Sequence, residues 1–168
     1  QLVSVREELT AKDQKLQAAQ MKFHQEKSKL EALSNLTERY DGYGGSVKAV
    51  MEQKEKEKGI IGVVADIIQA EAKYETAIET ALGGNIQNIV TEDEETAKRM
   101  IAHLKKNRAG RATFLPLTSI THPQEFKNPE ALKEKGVIGM ADELVKIDKK
   151  YRNVAKAMLG RIVVVDHV

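Results

Sequence analysis

The stretch that decides the fold occurs twice. It reads GIIGVVADIIQAEAKYETAIETALGGNIQNIV at residues 59–90 and GVIGMADELVKIDKKYRNVAKAMLGRIVVV at residues 136–165. Several residues of the first copy have an identical residue 77 positions later, among them Gly59 and Gly136, Gly62 and Gly139, Tyr74 and Tyr151, Leu82 and Leu159, and Gly83 and Gly160. Repetition at a fixed spacing is typical of a duplicated structural unit. We therefore predict two related lobes.

Each copy has the pattern of a strand, a helix and a second strand. The opening apolar run, residues 60–68 in the first copy, contains a glycine that predicts a bulge in a strand. A helix with one apolar side follows and is expected to end at Gly83, because glycine often terminates helices. The second strands, predicted at residues 86–90 and 162–165, are apolar enough to be central in a sheet.

The first copy continues beyond this pattern and the second does not. Thr91 and Glu94 predict a capping box for a further helix, after which ATFLPL at residues 112–117 predicts a final strand. The second copy reaches residue 168 without counterparts of residues 93–117, so we predict an incomplete second lobe. All three prolines lie in or beside residues 118–135, which predicts a connector.

A heptad pattern occupies the first 38 residues. Apolar side chains recur every seven positions: Leu2, Leu9, Leu16, Phe23 and Leu30. With no Gly or Pro as far as residue 36, this predicts one helix of roughly 50 Å at about 1.5 Å per residue. The narrow seam favours a coiled coil over a helix lying on its own domain. Because the chain starts at Gln1 without an initiator methionine, we expect a segment of a longer protein.

A glycine-rich stretch, YDGYGGSVKAVM at residues 40–51, follows the heptads. A dinucleotide fingerprint would need a third glycine where Val47 stands, and the G-K-[ST] of a Walker loop is absent from the chain. We interpret Gly42, Gly44 and Gly45 as a joint between helices, with Ser46 as N-cap of a helix that ends at Gly59.

Composition excludes several classes of function. Cysteine is absent, so disulfides and thiolate metal sites are excluded, and a reducing cytoplasm is compatible. No run approaches the roughly 18 apolar residues of a membrane helix, and no signal peptide is recognisable. The net charge is only +2, but residues 96–161 hold 15 Lys and Arg against 6 Asp and Glu. This region favours either a polyanionic partner or a lysine-rich solvated surface.

The residue pattern predicts no catalytic, cofactor-binding or metal site. The four histidines lack partners at ligand spacing, and Asp66 and Asp142 hold equivalent places that duplication explains. Two classes of function stay open at this point. One is a structural module without catalysis; the other is a small-ligand-binding α/β enzyme domain with a helical oligomerisation arm.

Four segments together resemble the hinge of the structural maintenance of chromosomes (SMC) proteins in their bacterial form. They are GYGGSVKAVM, KGIIGVVADII, the run from YETAIETALGG to ATFLPL, and LGRIVVVD. The resemblance covers the chain from about residue 40 onward and implies an α+β fold of the SMC hinge type. The predicted domains are a coiled-coil arm (1–38), a joint and first lobe (39–117), a connector (118–135) and a truncated second lobe (136–168).

The resemblance implies a non-catalytic dimerisation hinge of an ATPase for chromosome condensation and segregation. Two hinges would join long coiled-coil arms into a V or ring that entraps DNA. The implied partners are a second hinge, the returning helix of the same chain, and DNA for the parent protein. ATP and Mg would belong to head domains outside this segment, which itself needs no cofactor, and the implied location is cytoplasmic and nucleoid-associated.

The resemblance also implies candidate site residues. The dimer interface would lie along the first lobe's last strand and the residues before it: Gly110, Arg111, Ala112, Thr113, Phe114 and Leu115. An exposed last strand offers unpaired backbone groups to another sheet edge, although the strand could instead be internal to its lobe. Independently of the resemblance, the sharpest basic cluster of the sequence supplies the candidates for DNA contact: Lys105, Lys106, Arg108 and Arg111. Compensation of the helix dipole would also account for such residues at a helix C-terminus.

Overall fold

The structure, a computed structural model, describes residues 2–166, and the side chains of all of these except residues 36, 37 and 39. The backbone divides into two compact units, Gln1–Gly42 and Tyr43–Val168. The first unit is the helix α1, Leu2–Arg39. Its heptad side chains are between 56% and 80% exposed, so a partner helix would find an uncovered seam. The predicted long helix is present, and the coiled coil stays a prediction.

The second unit begins with the short helix α2, Gly45–Met51. Two predictions about this helix are wrong. Gly44 is its N-cap, and Ser46 lies inside the helix, where its hydroxyl donates a hydrogen bond to the carbonyl of Arg111 (2.6 Å). The helix ends at Met51 rather than at Gly59, because a series of turns follows.

Three strands form the sheet of the first lobe: β1 (Ile60–Val63), β3 (Ile89–Thr91) and β4 (Phe114–Pro116), in the order β1-β3-β4. The β1–β3 pair is antiparallel and the β3–β4 pair is parallel. The register shifts between Ile60 and Gly62, whose φ is +157°, so the predicted bulge is confirmed. The strands predicted at residues 60–68, 86–90 and 112–117 are each longer than the strand observed there.

Short helices occupy the missing parts of the first two predicted strands. The apolar run 60–68 is shared between β1 and one helical turn, α3 (Val64–Ile67), while a 3-10 helix spans Gly83–Gln87. Val64 of α3 is buried and Ile86 of the 3-10 helix packs partly buried against the core, and periodicity cannot separate a short buried strand from a helical turn.

The first lobe's longer helices are α4 (Glu75–Leu82) and α5 (Glu94–Asn107). As predicted, α4 ends at Gly83, whose φ of +50° suits glycine. The predicted capping box is wrong: Asp93 is the N-cap of α5 and accepts from the backbone N–H of Thr96 (2.8 Å). Thr91 instead donates its hydroxyl to the carbonyl of Asp93 (2.9 Å).

The second lobe repeats the first as far as it extends. Its elements are β5 (Val137–Met140), β6 (Val145–Lys146), α6 (Arg152–Leu159) and β7 (Val163–Val165). β5 and β7 pair antiparallel with a register shift before Gly139, whose φ of +157° equals that of Gly62. Between residues 136 and 166 there is no counterpart of α5 or β4. Before β5, residues 118–135 contain a 3-10 helix at Pro129–Lys133.

The two lobes share one hydrophobic core. The two-residue strand β2 (Gln69–Ala70) pairs antiparallel with β6, and α4 packs against α6. A single cluster of buried residues takes members from both copies: Val64, Ile68, Ile78, Leu82, Val90, Ala141, Val145, Val154, Ala155, Leu159 and Val164. The duplicated segments are therefore two halves of one core rather than two independent domains.

Candidate functional site

The helix α5 places the predicted basic residues at one end of the first lobe. The Thr96 N–H bonds to the Asp93 carboxylate and lowers its pKa, because that bond favours the charged form. Thr96, Ala97, Met100 and Leu104 are buried, so the opposite side of α5 faces solvent. Because one side of α5 is packed against the lobe, the orientation of its C-terminal turn is fixed.

Three of the predicted DNA-contact cations lie where α5 ends. Lys105 and Lys106 are exposed in the last turn, and Arg108 follows as a left-handed cap with φ of +51°. Within residues 2–166, none of these side chains has an acidic partner. Cations at a helix C-terminus are favourable for the dipole, so the helix alone accounts for part of this pattern.

A glycine turn leads from α5 to β4. Gly110 has a φ of +92°, a conformation that L side chains rarely adopt, and a Cβ there would lie 3.6 Å from the Ser46 Cβ. The Ser46 hydroxyl holds the carbonyl of Arg111, and the Ile89 N–H donates to the carbonyl of Thr113 (2.8 Å). These two hydrogen bonds hold the lead into β4 at two points. The exposed Arg111 lies in this lead, shortly after the α5 cations in the sequence.

β4 is an edge strand. Phe114, Leu115 and Pro116 pair with Ile89, Val90 and Thr91 of β3, and in the residues that the structure describes no strand pairs with the other side of β4. Each β4 residue is half-buried. Of the six predicted interface residues only Phe114 and Leu115 are in the strand; the other four, Gly110 to Thr113, form its lead.

The remaining predicted site residues are distributed along the joint. Gly42 has a φ of +92°, whereas Gly44 has a φ of −57° and donates its N–H to the Gln87 side chain (3.2 Å). Gly45 is the first residue of α2. Sequence reasoning missed Ser46 and Gln87 as anchors, because the partners of both lie more than 40 residues away in the chain.

Groups that could support metal or acid–base chemistry are dispersed. In residues 2–166 no three His, Asp or Glu side chains lie close enough to hold one metal ion. His103 contacts Asn107, and His122 contacts Thr121; His167 lies outside the described residues. Asp142 is buried and stands 3.9 Å from Arg152. In the same residues, no helix is long and apolar enough to cross a bilayer.

Comparison with known proteins connects this geometry to a family. A profile described as the SMC proteins flexible hinge domain matches residues 57–168. The chromosome partition protein Smc of Bacillus subtilis (strain 168) is 41% identical over 144 residues, covering 84% of this chain and 12% of that protein. That of Desulfitobacterium hafniense (strain Y51) is 38% identical over 165 residues, covering 96% and 14%.

Solved structures show the same fold. A structure of an asymmetric dimer of the Geobacillus stearothermophilus SMC hinge domain matches with a TM-score of 0.74 and 34% identity, covering all of this chain and 68% of that one. The Pyrococcus furiosus SMC hinge domain matches with a TM-score of 0.59 and 32% identity, covering 79% and 69%. The α+β hinge-type fold predicted from the sequence is confirmed. The hinge is a non-catalytic domain, and this chain belongs to the SMC hinge family.

Proposed function

We propose that this chain is the dimerisation hinge of a chromosome partition protein, with the open side of β4 and its lead as half of the interface. The observation that supports this most directly is that β4 is a half-buried edge strand in a chain similar to a hinge described as a dimer. An edge strand offers unpaired N–H and C=O groups to a second strand. Pro116 lacks an N–H, which limits pairing to the first part of β4.

In the parent protein, two such hinges would join two long arms into a V or ring that entraps DNA. The chain spans 12% to 14% of the length of the two relatives described above, so ATP hydrolysis with Mg²⁺ would belong to the remainder. The exposed seam of α1 would pair with the returning helix of the same chain. The resulting protein would be associated with the nucleoid.

The cations Lys105, Lys106, Arg108 and Arg111 are proposed as an auxiliary contact to the DNA backbone. All four are exposed and have no acidic partner in residues 2–166; three lie at the end of α5 and Arg111 lies in the lead into β4. Phosphate contacts of this kind carry no sequence preference and weaken as salt rises. Only Phe114, half-buried in β4, is a neighbouring aromatic, so stacking on single-stranded bases is not part of the proposal.

Sedimentation or light scattering over a concentration series tests the interface, in this chain and in one extended by the segment that follows in full-length relatives. We expect Gly110→Val to weaken dimerisation, because it strains the lead into β4. Gly42→Val is the matched control, since Gly42 has the same φ of +92° and open space around its Cα. Unchanged dimerisation in Gly110→Val, or equal loss in both variants, would refute the placement of the interface.

DNA contact is tested separately. We expect Lys105→Gln/Lys106→Gln to weaken binding to a DNA duplex and to lower the slope of log affinity against log salt by about 1 to 2. Lys133→Gln/Lys135→Gln removes two cations from the connector region as a charge-matched control. Equal losses in the two variants would show that only net charge matters, and the assignment to α5 would fail.

A further inference from the structure

The duplicated helices α4 and α6 have opposite charges at equivalent positions. Glu75 and Glu79 of α4 correspond, 77 residues later, to Arg152 and Lys156 of α6. Both helices follow a tyrosine, end at a glycine and bury a leucine in the shared core. The two helices thus occupy equivalent positions in the two copies while the sign of the charge is reversed. We call the first pair of side chains the acidic face and the second the basic face.

Three of these four charges have no ion-pair partner among the residues that the structure describes. Glu75, Glu79 and Lys156 are exposed, and none of them forms an ion pair within residues 2–166. Arg152 is 38% exposed and reaches Asp142 only at 3.9 Å. The two faces therefore remain available to an external partner of opposite charge.

Helix stability explains this arrangement only in part. Each face has two like charges four residues apart on one helix, a spacing at which they repel. The helix dipole favours Glu75 in the first turn of α4 and Lys156 in the last turn of α6, but it disfavours Arg152 in the first turn of α6. Local choices that disfavour their own element are expected at functional surfaces. A partner of opposite charge would relieve the repulsion on both helices.

We propose that the acidic face of one molecule binds the basic face of a second copy of this chain. The two pairs have the same i, i+4 spacing, about 6 Å along a helix, so both ion pairs can form together. The acidic face also borders a groove of about 350 Å³ whose lining includes Ile78 and Leu82. The aliphatic stems of Arg152 and Lys156 can lie on such a surface while their charges reach the carboxylates.

This contact differs from the proposed dimer interface. It joins the first lobe of one molecule to the second lobe of another and leaves the open side of β4 free. A contact between two different faces continues from molecule to molecule unless the geometry closes it into a ring. The expected consequence is a weak association of hinges beyond the dimer, strongest at low salt.

Reversing the charges on one face at a time tests the proposal in the full chain. Glu75→Lys/Glu79→Lys makes both faces basic, and Arg152→Glu/Lys156→Glu makes both faces acidic. We measure self-association by sedimentation velocity at about 0.05 M and about 0.5 M salt. Wild type is expected to associate at the lower salt, and each variant at least about tenfold more weakly. Any association through α1 is the same in wild type and in both variants, so it does not affect the comparison between them.

An equimolar mixture of the two variants is the decisive sample. The proposal expects the mixture to recover wild-type association, because acidic and basic faces are again both present. Failure of the mixture to recover, or association in either variant equal to wild type, overturns the proposal. The proposal is also overturned if wild type shows no salt-dependent association while Arg152→Glu/Lys156→Glu loses affinity for a DNA duplex, because the basic face would then bind a polyanion. Gly110→Val is expected to retain this association, which separates it from the β4 interface.

Discussion

Leu159 tests whether the two lobes unfold as one body. Its side chain is 0% exposed and belongs to the core cluster that draws on both copies. Replacing Leu with Ala removes apolar groups worth about 2 to 2.5 kcal/mol by transfer, and the residual cavity raises the cost to about 3–5 kcal/mol. The equivalent change at Leu82 should cost less, about 2–3 kcal/mol, because Leu82 lines an open groove that water can enter.

Hydrogen exchange followed by mass spectrometry is the appropriate assay, because it reports each lobe separately from α1. If the core is shared, Leu159→Ala lowers the free energy of unfolding for both lobes. Amides of β3 in the first lobe and β7 in the second should then exchange at least about a hundredfold faster, since about 1.4 kcal/mol corresponds to a factor of ten. Acceleration confined to residues 136–166, with β3 unchanged, would refute the shared core.

Three further predictions concern the first lobe. Asp93→Asn keeps an N-cap but removes a carboxylate whose pKa is lowered in the folded state by the Thr96 N–H. Wild type is therefore more stable than this variant at neutral pH, and the difference disappears as the pH falls below about 4. Urea titrations that show the same difference in free energy of unfolding at every pH would contradict this. Gly59→Ala places a Cβ against the Thr96 hydroxyl and should lower the free energy of unfolding, measured with urea, by about 1–3 kcal/mol. The loss should be smaller in a Thr96→Ala background, and an equal loss in both backgrounds would contradict this explanation. Arg99→Met breaks the ion pair with Glu57 (3.0 Å) and should make thermal stability less dependent on salt, so an unchanged salt dependence would argue against that pair.

The candidate interface shows which structural features can be predicted from local sequence patterns. The sequence predicted a final strand at residues 112–117, and the family resemblance placed Gly110 in the candidate interface; the structure has β4 at Phe114–Pro116 and Gly110 at a φ of +92°. That β4 is an edge depends on the order of three strands that are distant in the chain. Likewise, the charge reversal between α4 and α6 is readable from the aligned copies, but the exposure of those charges is not.

The wrong predictions have a common physical cause. Serine is a residue type that often forms an N-cap, yet the Ser46 hydroxyl donates to the carbonyl of Arg111, 65 residues away. Gly59 resembles a helix terminator, but its missing side chain makes room for Thr96. In both cases the residue type was recognised and its role was assigned to a neighbour in sequence, whereas the partner that determines the role is a neighbour in space.

By itself the sequence determined the duplicated unit, the bulge glycines of both copies, the long heptad helix and membership in a recognisable family. These features depend on periodicity and on backbone conformations that only certain residues adopt, so they are written locally. The tertiary structure alone decided that the two copies share one core through β2, β6, α4 and α6, and that β4 has an open side. Burial and strand order arise from contacts between distant segments, and such contacts leave no periodic trace in a single chain.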